Sequence, residues 1–213
     1  MRIGIFDSGI GGKAVANTLA KLLPSAEIIS INDHDHMPYG NRKPGEIIEL
    51  TKKAILPLLN LECDAIIIAC NTATTVAISA LRQSYPGVNF IGIEPMIKPA
   101  ATLTKTNCIA VFSTPSTLQS DRYKKLKHDW AKGIKIIEPD CSDWAELIEN
   151  DRSEEIDVIS AIKLLSNNNV DVIVLGCTHY HWIKQRIVDA AGPKVTVLEP
   201  SDAISERVKN LVG

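Results

Sequence analysis

Short runs of apolar residues recur along the chain, each bounded by Gly, Pro, Asn, Asp or Ser. They fall at 3–6, 28–31, 65–69, 89–93, 108–112, 134–137, 170–175 and 195–198. The runs are rich in Ile and Val and continuous rather than alternating. That pattern suits strands covered on both faces. Between them lie longer mixed segments with helical spacing, at 12–23, 44–59, 74–84, 117–130, 153–166 and 182–190. In the second, Ile47, Ile48, Leu50, Ala54, Ile55 and Leu58 make one apolar stripe. Regular strand–helix alternation predicts an α/β fold on mostly parallel sheet.

The pattern also repeats. DAIIIACNT at 64–72 resembles DVIVLGCTH at 171–179, IGIFDS at 3–8 resembles IAVFST at 109–114, and IEP at 93–95 resembles LEP at 198–200. All three pairs are separated by about 105–107 residues, half the chain, as expected of a duplicated unit. Proline disfavours helix just before it, so each Glu-Pro step suits a crossing between halves. The expected organisation is a first domain of 1–94 plus 199–213 and a second of 95–198. Each would be an open, mostly parallel sheet with flanking helices. The two would be pseudo-twofold related around a central cleft, a common place for a ligand.

Composition narrows the class. The 213 residues are 45% hydrophobic and carry 23 basic against 25 acidic side chains, a net charge of −2. Such a chain is globular rather than disordered. It lacks the clustered positive charge of a nucleic-acid or acidic-membrane surface. KKLK at 124–127 has no interleaved aromatics and is expected to be a solvated helix face. No apolar run approaches a membrane span, and the N-terminus lacks a signal-peptide core. Five cysteines, at 63, 70, 108, 141 and 177, do not form the dense even set of a disulfide scaffold. A reduced, soluble, cytoplasmic protein is expected.

The polar clusters follow the apolar runs directly: Asp7-Ser8-Gly9, Cys70-Asn71-Thr72, Ser113-Thr114 and Cys177-Thr178-His179. In open parallel sheets, ligands bind beyond the carboxyl ends of the strands. The loop DSGIGG at 7–12 lacks the Lys-Ser/Thr of a phosphate loop and the spacing of a dinucleotide fingerprint. It is either a tight strand-to-helix turn or a set of N–H groups for a carboxylate.

Cys70 and Cys177 are the sharpest feature. A lone cysteine at a strand end is usually a small packing residue, and Cys63, Cys108 and Cys141 are taken as such. Two at repeat-equivalent positions leave a functional alternative. A zinc site needs three or four ligands at short spacing, and a nucleophilic Cys–His pair needs one cysteine. What remains is a symmetric reaction with one thiol on each face of a substrate carbon. One thiolate would remove a proton and the opposite thiol would return one. Asp7 and His179 could adjust or accept those protons. Asn71, Thr72, Ser113, Thr114, Thr117 and Thr178 offer hydrogen bonds to carboxylate and amine groups.

At these residues the sequence resembles the glutamate racemases of the aspartate/glutamate racemase superfamily. The segments that carry the resemblance are IGIFDSGIGG (3–12), MPYG (37–40), ACNTATT (69–75), GIEPMIKPA (92–100) and LGCTHYH (175–181). The resemblance implies a racemase needing neither pyridoxal phosphate nor a metal. It would interconvert L- and D-glutamate, supply D-glutamate for peptidoglycan, and form a homodimer. Cys70 would work on the α-proton of the D-enantiomer and Cys177 on that of the L-enantiomer. Asp7 and His179 would assist, with Glu138 as a further catalytic carboxylate. Ser8, Pro38, Tyr39, Gly40, Asn71, Thr72, Thr114, Thr117 and Thr178 would contact substrate. Alternatives are another superfamily enzyme, such as an aspartate racemase, or an inactive amino-acid-binding relative. The chain departs from the family in three places. Family members usually run further past its C-terminal segment, NDHDH precedes MPYG, and His181 stands where proline often follows CTHY.

Overall fold

The computed structural model describes residues 1–212. Its strands are β1 (Arg2–Asp7), β2 (Glu27–Asn32), β3 (Ala65–Ile68), β4 (Phe90–Gly92), β5 (Cys108–Phe112), β6 (Lys135–Ile137), β7 (Val172–Leu175) and β8 (Thr196–Leu198). They form two four-stranded sheets, ordered β2-β1-β3-β4 and β6-β5-β7-β8. Every pairing is parallel. The chain divides into two compact units, Met1–Glu94 with the segment from Pro200 onward, and Pro95–Glu199. Each unit therefore holds one sheet, with the same strand order in both. Helices connect the strands, as parallel pairing requires.

In the first unit, β1 and β3 are central and buried along almost their whole length. Period-two geometry sends successive side chains to opposite faces. Ile66 and Ile68 join Phe6, Ile47, Leu58, Ala77 and Leu81 on one face. Ala65, Ile67 and Ala69 join Ile3, Ile5, Val15 and Leu19 on the other. Both faces are covered, so the sequence reads as an unbroken apolar run. The edge strand β2 has no fully buried residue; Ile28, Ile29 and Ile31 are half-buried and the polar residues are exposed. The C-terminal helix Ser201–Val212 completes the second face through Ile204 and Val208.

The second unit repeats the scheme. Ile109, Val111, Val172 and Val174 pack with Ile97, Ala100 and Tyr123. Phe112, Trp144 and Tyr180 form an edge-to-face chain with ring centroids 5.2 and 5.4 Å apart.

Three expected helices are each divided; the 153–166 segment becomes a 3₁₀ turn at Ser153–Glu155 and the helix Val158–Ser166, which Asp157 caps. The 44–59 stripe becomes Pro44–Ala54 and Leu56–Asn60, because Pro57 has no N–H and its ring crowds the carbonyl one turn back. The 117–130 segment becomes Pro115–Gln119 and Asp121–Trp130, where Ser120 turns outward and its hydroxyl accepts from Tyr123 N–H at 3.1 Å. Helices Ile97–Leu103, Trp144–Glu149 and Ser201–Val212 are additions to the expected set.

Candidate active site

In each unit the polar clusters stand at the carboxyl ends of the central strands. In the first unit, β1 and β3 are neighbours, so the residues that follow them meet. Asp7 ends β1 and is buried, and its Oδ1 accepts from Gly9 N–H at 2.9 Å. The helix Gly11–Leu22 begins directly against it. A Cβ on Gly12 would lie 2.5 Å from Asp7 Cβ, so only glycine permits this approach. The Gly-rich loop is thus a tight strand-to-helix turn built around a carboxylate.

Cys70 follows β3 and caps the helix Asn71–Ser84. Its Sγ accepts from Ala73 N–H at 3.4 Å and from the Ser8 hydroxyl at 3.2 Å. Both are donors to sulfur and favour the thiolate over the thiol. Asn71 and Thr72 are buried beside it. Among the described residues, Asn71 Oδ1 is a buried acceptor with no hydrogen-bond partner. Such an atom costs about 1–3 kcal/mol when left unsatisfied.

The MPYG segment lies in the same unit. Tyr39 is buried, and its hydroxyl donates to Asp33 Oδ2 at 2.7 Å. Asp33 Oδ1 also lies 2.7 Å from His36 Nδ1, and Arg42 Nε donates to the His36 carbonyl at 2.5 Å. Burial, and then the bond to Asp33, hold the Tyr39 phenol well above its ordinary pKa. Two residues of the NDHDH departure therefore strap down the turn that carries Pro38, Tyr39 and Gly40.

In the second unit, Cys177 follows β7 across Gly176, and a 3₁₀ turn spans Thr178–Ile183. A Cβ on Gly176 would lie 2.9 Å from Ser113 Oγ, and that hydroxyl donates to the Gly176 carbonyl at 2.8 Å. Cys177 Sγ is 3.7 Å from His179 Nδ1. His179 Nε2 is in turn 2.5 Å from Glu149 Oε2, and the Glu149 side chain is only 2% exposed. The three form a line of thiol, imidazole and carboxylate. With Nε2–H given to Glu149, Nδ1 of the neutral ring faces the sulfur as an acceptor.

Glu149 is the carboxylate at His179, and sequence reasoning did not single it out. The structure does not bring Glu138 to His179. Instead Glu138 accepts from the Tyr123 hydroxyl and from Lys127 Nζ, both at 2.8 Å. In the sequence Glu138 stands in an Ile-Ile-Glu-Pro stretch at 136–139, whereas Glu149 only closes the short, mostly apolar segment 144–148. Thr114 and Thr117 are buried and joined hydroxyl to hydroxyl at 3.1 Å, and Thr178 is buried next to Cys177.

All five cysteines are free thiols. Burial pushes the Cys141 thiol up, which suits a packing residue. Among the described residues, no group of three or more His, Cys, Asp or Glu side chains could hold a metal ion. Among the same residues, no helix is long and apolar enough to cross a membrane.

The comparisons with known proteins agree in kind. A family described as Asp/Glu/Hydantoin racemase matches residues 13–208. The glutamate racemase of Aliarcobacter butzleri is 39% identical over 99% of this chain and 84% of its own length. That of Herpetosiphon aurantiacus is 36% identical over 99% and 84%. Among solved structures, Escherichia coli glutamate racemase with L-glutamate and an activator superposes with a TM-score of 0.86. It is 27% identical, covering 99% of this chain and 82% of that one. Francisella tularensis glutamate racemase with D-glutamate gives 0.81 at 30% identity, covering 99% and 80%. Allantoin racemase from Klebsiella pneumoniae, at 18% identity and a TM-score of 0.58, shares the fold. On the profile match and these relatives, the chain belongs to the Asp/Glu/Hydantoin racemase family.

Proposed function

We propose that the protein is a glutamate racemase that moves the α-proton between two thiols without a cofactor. The observation that carries the reading is the Cys177–His179–Glu149 line in the second unit; the first unit carries a cysteine of its own, Cys70, with its own donors. The reaction calls for a base on one face of the α-carbon and an acid on the other. Starting from L-glutamate, the Cys177 thiolate removes the α-proton and the Cys70 thiol delivers its proton to the opposite face. D-glutamate runs the steps in reverse.

His179 lies within reach of the Cys177 proton and can take it or return it. Glu149 fixes the ring's tautomer and stabilises the imidazolium when it forms. Asp7 is the corresponding carboxylate in the first unit. The buried Asn71 Oδ1 needs a donor, and an ammonium group supplies one. Ser8, Thr72, Thr114, Thr117, Thr178 and the Pro38–Gly40 turn provide the remaining contacts to the two carboxylates. Free thiols suit a reducing, cytoplasmic setting. A homodimer supplying D-glutamate to peptidoglycan completes the reading carried by the family resemblance.

Circular dichroism of the substrate tests it. Purified protein should carry L- and D-glutamate to the same zero signal. Aspartate, one methylene shorter, should turn over at least about tenfold more slowly. No loss of signal, or faster loss with aspartate, overturns the assignment.

A further inference from the structure

Cys177 faces an ionisable pair, His179 and Glu149. The contacts of Cys70 include two uncharged donors, the Ser8 hydroxyl at 3.2 Å and the Ala73 N–H at 3.4 Å. Ser8 is 5% exposed and Cys70 6%, so water competes little for the contact. It joins residues 62 apart, and the parallel pairing of β1 with β3 puts the two loops side by side. A hydroxyl has one proton to give, and giving it to sulfur stabilises the thiolate more than the thiol, whose sulfur is the weaker acceptor.

We propose that Ser8 is a positioning residue for the Cys70 thiolate, its hydroxyl holding the sulfur beside the N-terminus of the helix Asn71–Ser84 through the proton transfer. Ser8 then acts on the protein's own base, apart from any bond it makes to glutamate. The importance of this for turnover rests on the two-thiol reading, but the contact itself does not.

The test needs no substrate. The protein is treated with iodoacetamide across a pH series, and alkylation of each cysteine is followed by mass spectrometry of its peptide. In Ser8→Ala the midpoint for Cys70 should rise by about one pH unit, the scale of a hydrogen bond to a charged group. The midpoint for Cys177 should stay in place, and Ser8→Thr, which keeps the hydroxyl, should stay near wild type. Ser8→Gly also removes the hydroxyl and replaces Ser8→Ala if that variant does not fold. An unchanged Cys70 midpoint in a folded variant overturns the proposal. So does an equal shift at both cysteines, which marks general loosening. If the wild type fails to racemise glutamate while the Cys70 shift is seen, the racemase reading falls and the Ser8 contact stands.

Discussion

At the scale of single residues, Glu149 and Glu138 separate the account from its sequence-level version. Glu149→Gln keeps the shape at His179 Nε2 but removes the charge that favours imidazolium. Its kcat should fall by about 10- to 100-fold with KM little changed. That is less than the roughly 10²–10⁴ lost with a group that transfers the proton itself. Glu138→Gln removes a partly exposed pair with Lys127, so stability should change by no more than about 1 kcal/mol. Initial rates from both enantiomers and urea unfolding check the two. The contrast also marks what the sequence could tell. The places of Asp7, Cys70, Cys177 and His179 in the fold were legible because each lies at, or within a few residues of, the carboxyl end of an apolar strand. Glu149 was not, because a glutamate ending a short helix looks like ordinary surface charge. Only the packing of Trp144–Glu149 on the turn after Cys177 turns it inward.

At the scale of elements, strand-to-helix junctions set the position of the reactive groups. Gly12→Ala would drive a methyl into Asp7, with Cβ atoms 2.5 Å apart before relaxation. Overpacking of this kind costs about 1–3 kcal/mol, and here the strain falls on a proposed catalytic carboxylate. The variant should lose both thermal stability and turnover, measured by melting curves and circular dichroism of glutamate. Thr74 ties the helix after Cys70 to β3, its hydroxyl donating to the Ile68 carbonyl at 2.8 Å. That carbonyl also accepts from Ile93 N–H, so it is not orphaned when the hydroxyl is lost. Thr74→Val should therefore cost about 1 kcal/mol in urea unfolding rather than the larger penalty of a stranded acceptor. The strands were legible as unbroken apolar runs. The breaks before Pro57 and at Ser120 fall inside good helical periodicity, where one residue's backbone chemistry overrides the stripe. Helix Ile97–Leu103 was missed because it is short and holds Pro99 in its first turn.

At the scale of the whole molecule, one strand order is used twice, and the units differ in what they place at the strand ends. All three tryptophans, Trp130, Trp144 and Trp182, lie in the second unit, so their fluorescence reports its unfolding. Burial lowers the His181 pKa from 6.5, against the raising effect of Glu199 and together with the lowering effect of Lys184. As pH falls below 6.5 the unfolded chain takes up a proton that the folded one resists. Stability present above that pH is therefore lost below it. Resistance to urea unfolding should fall between pH 7.5 and 5, and should fall less in His181→Gln. The repeat and the two Glu-Pro steps made the duplicated plan legible in advance. The partners of His181 were not, because they come together only when β8 returns beside β7. The most direct measurement of the central claim is deuterium uptake at the α-carbon of glutamate during turnover in D₂O. Two thiols acting on opposite faces should place solvent deuterium in the product enantiomer while the remaining substrate stays protonated in early turnovers. Racemisation that carries the original proton into the product, or substrate binding with no exchange at all, would contradict the account.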